Sequence, residues 1–236
     1  MIAFSSNEPR DVAPYLASLA RFCASGNLVA GWERRPGGNH PNGWGVAWRA
    51  GDEIRMVKSG NPAASDPLLS DVHALTDRFI GHVRYASNPE TVCAANSHPF
   101  QALGVTLAHN GTFYGKIGAE GDARKVSDTV VFLELLEDRW VERTLAGLSE
   151  TLRGILSDRE LVGEYSAANL LIATGDALFA FRVVDAGACV VLALPDLHRQ
   201  PGALVQQREQ LFINAIDVGA QIIDRGRARQ RAPPKT

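Results

Sequence analysis

Cysteine is scarce in this sequence, and so is any long apolar run. Only three cysteines occur among 236 residues, and Cys23, Cys93 and Cys189 form no Cys-x-x-Cys pair. An odd and widely spaced set argues against a disulfide framework or a structural zinc site, and it predicts a cytoplasmic protein in a reducing compartment. The apolar run at 188–194 is far shorter than the about 20 residues that cross a bilayer, and the first six residues lack a secretion signal. We therefore expect no membrane partner.

The chain also lacks a strong excess of charge of one sign. It carries 24 Lys and Arg against 26 Asp and Glu, for a formal net charge of −2. This balance argues against a nucleic-acid coat protein, and we expect no nucleic-acid partner. The last residues are basic and contain no acid, with cations at Arg225, Arg227, Arg229, Arg231 and Lys235. For this tail, a solvated terminus is favoured over a contact with a polyanion. Self-association, with the basic tail of one copy on the more acidic remainder of another, is an open alternative.

The composition, with 45% apolar residues, is typical of a globular protein. The length fits one domain, which we assign to residues 1–224, followed by a flexible basic tail at 225–236. Apolar patterns predict strands at 2–4, 44–48, 54–58, 79–84, 105–109, 169–174, 178–184, 189–194 and 211–216, and helices at 12–24, 66–76, 130–136 and 141–156. Tight turns between the strands from 169 to 194 predict antiparallel hairpins. This order of elements predicts an α+β domain with layered sheets.

Polar residues concentrate where the predicted strands end. Four segments contain most of them: His40-Pro41-Asn42-Gly43-Trp44-Gly45, Gly81-His82-Val83-Arg84-Tyr85-Ala86-Ser87, Asn96-Ser97-His98-Pro99-Phe100 and Ala108-His109-Asn110-Gly111-Thr112. Each segment alone is a weak signal, because an Asn-Gly pair is usually a turn and an Arg at a strand end is usually a solvated charge. Loops at strand ends can bring such segments together, and their order and spacing are specific.

Together these segments resemble the class II (N-terminal-nucleophile) glutamine amidotransferases, closest to the short stand-alone members. The resemblance runs from Met1 to about Val184 and includes the Ser127-Asp128-Thr129 block. It implies a four-layer αββα Ntn-hydrolase sandwich, in which two antiparallel sheets lie between helices. It also implies an amidohydrolase that needs neither a cofactor nor a metal.

The resemblance assigns two charged residues to the amino-acid end of the substrate. Arg84 would bind the α-carboxylate, because its planar guanidinium can donate two parallel hydrogen bonds, which a lysine cannot. Asp128, near the predicted helix start at Ser127-Asp128, would face the α-ammonium. The competing interpretations are a structural ion pair for Arg84 and a helix cap for Asp128, and the cap could coexist with binding.

The resemblance assigns the remaining site residues to the reacting amide and the pocket wall. Asn110, through its side-chain amide, and Gly111, through its backbone N–H, would form the oxyanion hole; a purely structural turn is the alternative. His98 would position the substrate, or pack as a hydrogen-bonded histidine, while Tyr85 and Ser87 would form the wall. His82 and His109 would orient loops, and His40 and Trp44 would shape a mobile lid near several glycines.

The family nucleophile is absent from the printed sequence. The family uses a cysteine at the mature N-terminus, whose free α-amine acts as the base for its own thiol. Met1-Ile2-Ala3-Phe4 corresponds to the opening of many relatives without their first residues, Cys-Arg. We therefore hypothesise that Met1 is an internal methionine and that the native chain begins a few residues earlier with Met-Cys-Arg. The competing interpretation is a catalytically inactive module that still binds glutamine or a γ-glutamyl compound.

The resemblance implies hydrolysis of glutamine or a γ-glutamyl amide through a thioester. No synthase domain fits in the remaining residues, so the expected partner is a separate ammonia-accepting synthase subunit, or the protein simply hydrolyses its substrate. Short relatives include γ-glutamyl hydrolases of ergothioneine synthesis, which favours a substituted γ-glutamyl substrate. A metal-dependent hydrolase built on His82, His98 and His109 is disfavoured, because their spacing is unlike that of zinc sites.

Overall fold

The computed structural model describes residues 1–25, 38–165, 167–175, 177–185, 188–195, 213–214 and 221–222. Within these residues, antiparallel strands form one four-stranded sheet, one five-stranded sheet and a short two-stranded pair. The first sheet contains β1 (Ile2–Asp11), β2 (Trp44–Ala50), β3 (Glu53–Ser59) and β4 (Leu75–Val83) in the order β1-β4-β2-β3. The second contains β5 (Phe100–Ala102), β6 (Val105–Asn110), β7 (Asn169–Ala173), β8 (Ala177–Asp185) and β9 (Ala188–Pro195) in chain order. The pair is β10 (Ile213–Asn214) with β11 (Gln221–Ile222).

Six helices occur in the described residues. They are α1 (Ala13–Ala24), α2 (Pro67–Ser70), α3 (Lys116–Arg124), α4 (Asp128–Arg139), α5 (Leu145–Ser157) and α6 (Arg159–Val162). No helix in this part of the chain combines the length and the apolar character that a bilayer crossing requires.

The strands present alternate side chains to two different cores, as a period of two residues dictates. In β4, Phe79 packs into one apolar cluster and the adjacent Ile80 into another. In β7, Ile172 and Leu171 are divided in the same way between two clusters. Each sheet is therefore covered on both faces.

Three apolar clusters separate four layers. One joins α1 and α2 to the first sheet, and a second joins α3, α4 and α5 to the second sheet. The third lies between the two sheets and contains three alanines and three larger aliphatic residues: Ala3, Ile80, Ala108, Leu171, Ala173 and Leu178. The sequence of layers is helix, sheet, sheet, helix, so the predicted αββα architecture is confirmed.

Most predicted strands are present with shifted ends, and the predicted hairpins β7–β8 and β8–β9 are confirmed. The predicted helix at 66–76 is too long, because α2 ends at Ser70 and Leu75 already pairs with Asp11 in β1. The predicted helix start at residue 141 is also too early: Thr144 caps α5 by accepting a hydrogen bond from the Gly147 N–H. Helix α3 and strand β5 were not predicted. The end of the assigned domain and the basic tail at 225–236 lie outside the described residues.

Candidate functional site

The loop before β2 and the loop after β4 are held side by side at one end of the first sheet. Beyond the last β2–β4 pair, the Arg84 N–H donates to the Gly43 carbonyl at 2.8 Å, and the Asn42 N–H donates to the Arg84 carbonyl at 3.0 Å. The Asn42 side-chain oxygen accepts a hydrogen bond from the Ala86 N–H. Gly43 has φ 109°, and a Cβ there would lie 2.3 Å from Ser97 Oγ. Only glycine fits this approach, so the Asn-Gly motif has a structural cause.

Arg84 is buried and is held by Thr91. Its Nη1 donates to the Thr91 carbonyl at 2.9 Å, and its Nη2 donates to Thr91 Oγ1 at 2.7 Å. Thr91 ends a short 3₁₀ turn, Pro89–Thr91, that Asn88 caps. A guanidinium has five N–H groups, so three remain after these two bonds. These three N–H groups can therefore still donate hydrogen bonds to a carboxylate.

Asp128 is the first residue of α4, and its carboxylate is anchored by backbone N–H groups. Oδ2 accepts from the Phe113 N–H at 2.7 Å, and Oδ1 accepts from the Thr129 N–H at 2.9 Å. Ser127, rather than Asp128, is the N-cap. Oδ1 also accepts from the Ser127 hydroxyl at 3.1 Å, so Oδ2 is the oxygen that keeps an acceptor position for a bound ammonium. The bond to Phe113 also ties α4 to the loop that follows Gly111.

Arg84 and Asp128 line one cavity of about 530 Å³, a size typical of small-molecule pockets. Ser87 also lines it and is exposed. The rim includes Asn88, whose side chain donates to Asp122 Oδ1 at 2.8 Å. The structure thus brings the two predicted charged residues to a common space.

Strand β6 ends at Asn110, and Gly111 leads directly to Thr112 and Phe113, which line the same cavity. The Asn110 side chain makes no hydrogen bond to the described residues, so its amide is free to donate to a ligand. Gly111 has φ 149°, and a Cβ there would lie 1.9 Å from the Ala167 carbonyl oxygen. Only glycine fits this turn, because the Ala167 carbonyl occupies the position that a side chain would take.

Three buried histidines, His82, His98 and His109, lie close together, and the hydroxyl of Thr129 connects two of them. His98 Nε2 is 2.9 Å from Thr129 Oγ1, and His109 Nδ1 is 3.2 Å from the same oxygen. His109 Nε2 is 3.1 Å from the Ala167 carbonyl oxygen. The ring of His82 lies 4.5 Å from that of His98, centroid to centroid. His98 is therefore buried inside a network and does not line the cavity.

Burial dominates the electrostatics of the site. It lowers the pKa of His82 and of His98 well below the usual 6.5, and the positive amino group of Met1 lowers both further. Burial also lowers the pKa of His109, although Asp128 opposes the shift. The pKa of Arg84 is lowered by burial and raised by Asp128. The three rings are thus neutral at pH 7, while Arg84 stays charged because an arginine does not lose its proton in proteins.

Some of the residues that the sequence predicts for the site do not line the cavity. Tyr85 is half exposed and does not line the cavity. Trp44 is fully buried and its Nε1–H donates to Asp66 at 3.0 Å, so its predicted role in a mobile lid is wrong. His40 contacts the Phe22 carbonyl. Sequence reasoning did not assign a role to Thr91 or to Thr129, although Thr129 belongs to the Ser-Asp-Thr block.

Lys58 is a further residue near the site that sequence reasoning missed. Its Nζ donates to the Ala95 carbonyl at 2.8 Å and lies 4.2 Å from the centre of the Phe100 ring. Burial lowers its pKa to about 8. Within the described residues, no group of three or more His, Cys, Asp or Glu side chains is arranged to hold a metal ion.

One protein family and two related sequences match this chain. A family model for class II glutamine amidotransferases matches residues 22–201. YafJ of Escherichia coli, a predicted glutamine amidotransferase, is 26% identical over 195 residues, which cover 77% of this chain and 71% of YafJ. An uncharacterized protein of Methanocaldococcus jannaschii is 32% identical over 158 residues, or 61% of this chain, and the match spans 43% of that protein's length.

The fold has a solved counterpart. The structure of an allosteric regulatory enzyme of purine biosynthesis superposes with a TM-score of 0.50 at 19% identity, covering 91% of this chain and 46% of that one. A likeness at this identity shows the fold alone. The family match, in contrast, spans most of the sequence, and the chain therefore belongs to the class II glutamine amidotransferases.

Proposed function

We propose that the cavity binds glutamine or a γ-glutamyl amide by its amino-acid end and that the protein hydrolyses the γ-amide. The observation that carries this proposal is the shared cavity of Arg84 and Asp128 beside the Asn110–Gly111 turn. A zwitterionic head group needs one positive and one negative group at fixed positions. The bonds to Thr91 and Phe113 fix both before any ligand enters, which limits the entropy lost on binding.

Asn110 and Gly111 are the proposed oxyanion hole. The free Asn110 amide and the turn at Gly111, next to two residues that line the cavity, support this role, since donors are needed where negative charge develops on the amide oxygen. Loss of one such donor commonly lowers kcat by about 10²- to 10³-fold.

The proposed nucleophile is a cysteine two positions ahead of Met1, as hypothesised from the sequence. In the β1–β4 pair, Ile2 lies opposite Gly81 and Ala3 opposite Ile80. In the same register, a strand longer by two residues would reach the level of Arg84. Its added first residue would share a face with Met1 and Ala3, which pack between the sheets. This is also the face of Ala108, two residues before Asn110.

The proposed reaction needs no additional reagent. The cysteine thiol gives its proton to its own α-amine, and the thiolate sulfur attacks the γ-carbonyl carbon. The carbon–nitrogen bond breaks as the ammonium returns the proton to the leaving nitrogen, which leaves a thioester. Water then hydrolyses the thioester to a γ-carboxylate and restores the thiol. With glutamine the products are glutamate and ammonia.

Two further proposals concern the group on the amide nitrogen and the protein that accepts the ammonia. A cavity of about 530 Å³ has room for a substituent on the amide nitrogen, which supports a substituted γ-glutamyl substrate. A synthase subunit that consumes the ammonia is the proposed partner where glutamine is the substrate. Simple hydrolysis is proposed where the amide is substituted.

A glutaminase assay on three chains tests the proposal. The printed chain, which keeps Met1, is compared with two extended chains, one with Cys-Arg and one with Ala-Arg before Met1. The initiator methionine is removed from both extended chains. We expect glutamate and ammonia only from the Cys-Arg chain, and we expect calorimetry to detect glutamate binding by all three.

The Ala-Arg chain is the matched control, because it differs from the active chain only in the thiol. Equal turnover by the Ala-Arg and Cys-Arg chains would contradict a cysteine mechanism. Binding by the Cys-Arg chain without turnover of glutamine or of γ-glutamyl anilide would support the inactive binding module instead.

A further inference from the structure

Thr91 accepts both hydrogen bonds that the Arg84 side chain makes within the described residues. The Thr91 carbonyl accepts from Nη1 at 2.9 Å, and Thr91 Oγ1 accepts from Nη2 at 2.7 Å. Because the two bonds start from different nitrogens of one planar group, they fix the rotation of the guanidinium as well as its position. Both residues are buried, with 5% of Arg84 and 3% of Thr91 exposed. A single threonine therefore sets the plane of the guanidinium.

The hydroxyl of Thr91 has only one possible direction. A guanidinium has no acceptor atom, so Thr91 Oγ1 must accept from Arg84 Nη2. The Asn88 carbonyl, 2.7 Å from the same Oγ1, has no proton to give, so the hydroxyl must donate to it. The hydroxyl thus uses its proton and a lone pair in two short hydrogen bonds. A side chain of the same shape without the oxygen would lose both.

The Asn88 carbonyl is itself held by the 3₁₀ turn and by α3. It also accepts from the Thr91 N–H at 3.1 Å, and the Asn88 side-chain oxygen accepts from the Glu90 N–H at 3.0 Å. The Asn88 side-chain NH₂ donates to Asp122 of α3 at 2.8 Å. A chain of hydrogen bonds therefore connects α3 to the guanidinium through Asn88 and Thr91.

The acceptors at Arg84 are neutral, so its positive charge is not compensated by them. Within the described residues, the guanidinium makes no ion pair and bonds only to a hydroxyl and a carbonyl. Burial lowers the pKa of Arg84, because a buried site disfavours the charged form. A guanidinium that is buried and oriented, but not neutralised, favours an anion as its partner. The adjoining cavity has space for that anion.

We propose that Thr91 is a positioning residue for recognition of the α-carboxylate: it fixes the plane of Arg84 with neutral acceptors, so that the carboxylate of the ligand becomes the counter-ion of the guanidinium. This inference rests on the proposed function. It assigns selectivity for an α-carboxylate to Thr91 and Arg84 together. A ligand without that carboxylate gains nothing from the fixed plane, so Thr91 should not affect its binding.

Nitrogen-15 NMR of the arginine side chains tests the positioning without a ligand. The Arg84 signals are assigned by their loss in the spectrum of Arg84→Lys. In the printed chain, Nη1 and Nη2 should give separate signals, because each is bonded to a different acceptor. Thr91→Val, which removes the hydroxyl at similar volume, should let the two signals average, and Thr91→Ser should restore their separation. Signals in Thr91→Val that match those of the parent would overturn the inference.

Calorimetry on the same chains tests the effect on binding. Loss of a hydrogen bond to a charged group should raise the Kd of glutamate by about 10-fold in Thr91→Val, and Thr91→Ser should restore it. The Kd of γ-aminobutyrate, which is glutamate without the α-carboxylate, is measured by competition and should not change in Thr91→Val. An equal loss for both ligands would overturn the inference.

Thr144→Val is the matched control for lost stability. It removes the hydroxyl that caps α5, away from the cavity, so this variant should be less stable than the parent. Its affinity for glutamate should nevertheless equal that of the parent. A weaker affinity in Thr144→Val, similar to that of Thr91→Val, would show that lost stability explains both and would overturn the inference.

A double-mutant cycle tests whether Thr91 acts through Arg84. In Arg84→Lys the planar group is absent, so adding Thr91→Val should change the Kd of glutamate by less than about 3-fold. The same loss from Thr91→Val in both backgrounds would overturn the inference alone, because the hydroxyl would then act independently of Arg84. A parent chain that binds no glutamate would overturn the proposed function, and with it the role of Thr91 in binding.

Discussion

Asp128 acts on Arg84 within the cavity that both side chains line, and it raises the pKa of the guanidinium against the larger lowering by burial. The two groups form no direct ion pair in the part of the chain that the structure describes. Thr91 holds the guanidinium, while the N–H groups of Phe113 and Thr129 hold the carboxylate. Two opposite charges are thus fixed apart from each other, which suits a ligand that carries both.

Arg84→Lys should weaken the binding of glutamate. A lysine cannot donate two parallel bonds in a fixed plane, and loss of a charge-assisted bond costs about 1.5–3 kcal/mol, or roughly 10- to 100-fold in Kd. Isothermal calorimetry on the printed chain measures the change. Arg153→Lys, at an exposed position of α5, is the control and should bind like the parent. Unchanged affinity in Arg84→Lys would show that Arg84 only supports the fold.

Asp128→Asn should lower stability as well as affinity. Both carboxylate oxygens accept backbone N–H bonds, and an asparagine has only one oxygen, so the N–H of Phe113 or of Thr129 would face an NH₂ group. We expect a loss of about 1–3 kcal/mol in the free energy of unfolding. Urea denaturation with Asp138→Asn, at an exposed position of α4, as the control measures it. A less stable variant that keeps its affinity would leave Asp128 a structural role only.

Gly111→Ala should be strongly destabilising, because the new Cβ would lie 1.9 Å from the Ala167 carbonyl oxygen at a φ of 149°. The backbone of the turn must move, which displaces the proposed oxyanion-hole N–H. The matched variant Gly154→Ala lies in α5 and has open space at the Cβ position, so it should gain about 0.5–1 kcal/mol from helix propensity. Thermal denaturation of both variants checks the contrast, and a tolerated Gly111→Ala would contradict the geometry.

Local patterns predicted the strands well, because most of them are short apolar runs bounded by turn residues. They failed where pairing between distant segments decided the structure. Residues 71–76 read as a helix, but β1 continues to Asp11 and draws Leu75 and Thr76 into the sheet opposite it. Tertiary contacts override weak local propensity in this way. Helix α3 escaped prediction because only Ile117 and Gly121 of its residues are buried.

The site could be predicted from motifs only as far as charge and hydrogen-bonding type allow. Arg84 and Asp128 were identifiable because their motifs resemble those of the family, and the structure places both in one cavity. The connection of His98 to His109 through Thr129 depends on distances of 2.9 and 3.2 Å that no spacing in the sequence reveals. Trp44 was misread because its position beside a glycine-rich loop hid its hydrogen bond to Asp66.

Lys58 should make stability depend on pH in the alkaline range. Its pKa is about 8 in the folded protein, because burial disfavours the charged form, against 10.5 for an ordinary lysine. Between these values the unfolded chain binds more protons than the folded one, so the free energy of unfolding should rise with pH. Below about pH 8 both states are protonated and the unfavourable burial is fully present. The slope should stay well under the about 1.4 kcal/mol per pH unit of a whole proton, because solvent reaches this half-buried side chain.

Lys58→Met removes the titrating group and keeps the length of the side chain. The parent should therefore gain stability relative to Lys58→Met between about pH 8 and 10.5, measured by urea denaturation at several pH values. Both chains carry Cys93→Ser, since the Cys93 thiol acts on the pKa of Lys58. Lys125→Met is the control: its exposed ion pair with Glu90 raises the pKa of Lys125, so no relative gain is expected below pH 10.5. Parallel curves for the parent and Lys58→Met would mean that Lys58 keeps its proton in the fold, and that its contact with Phe100 is a cation–π interaction strong enough to offset burial.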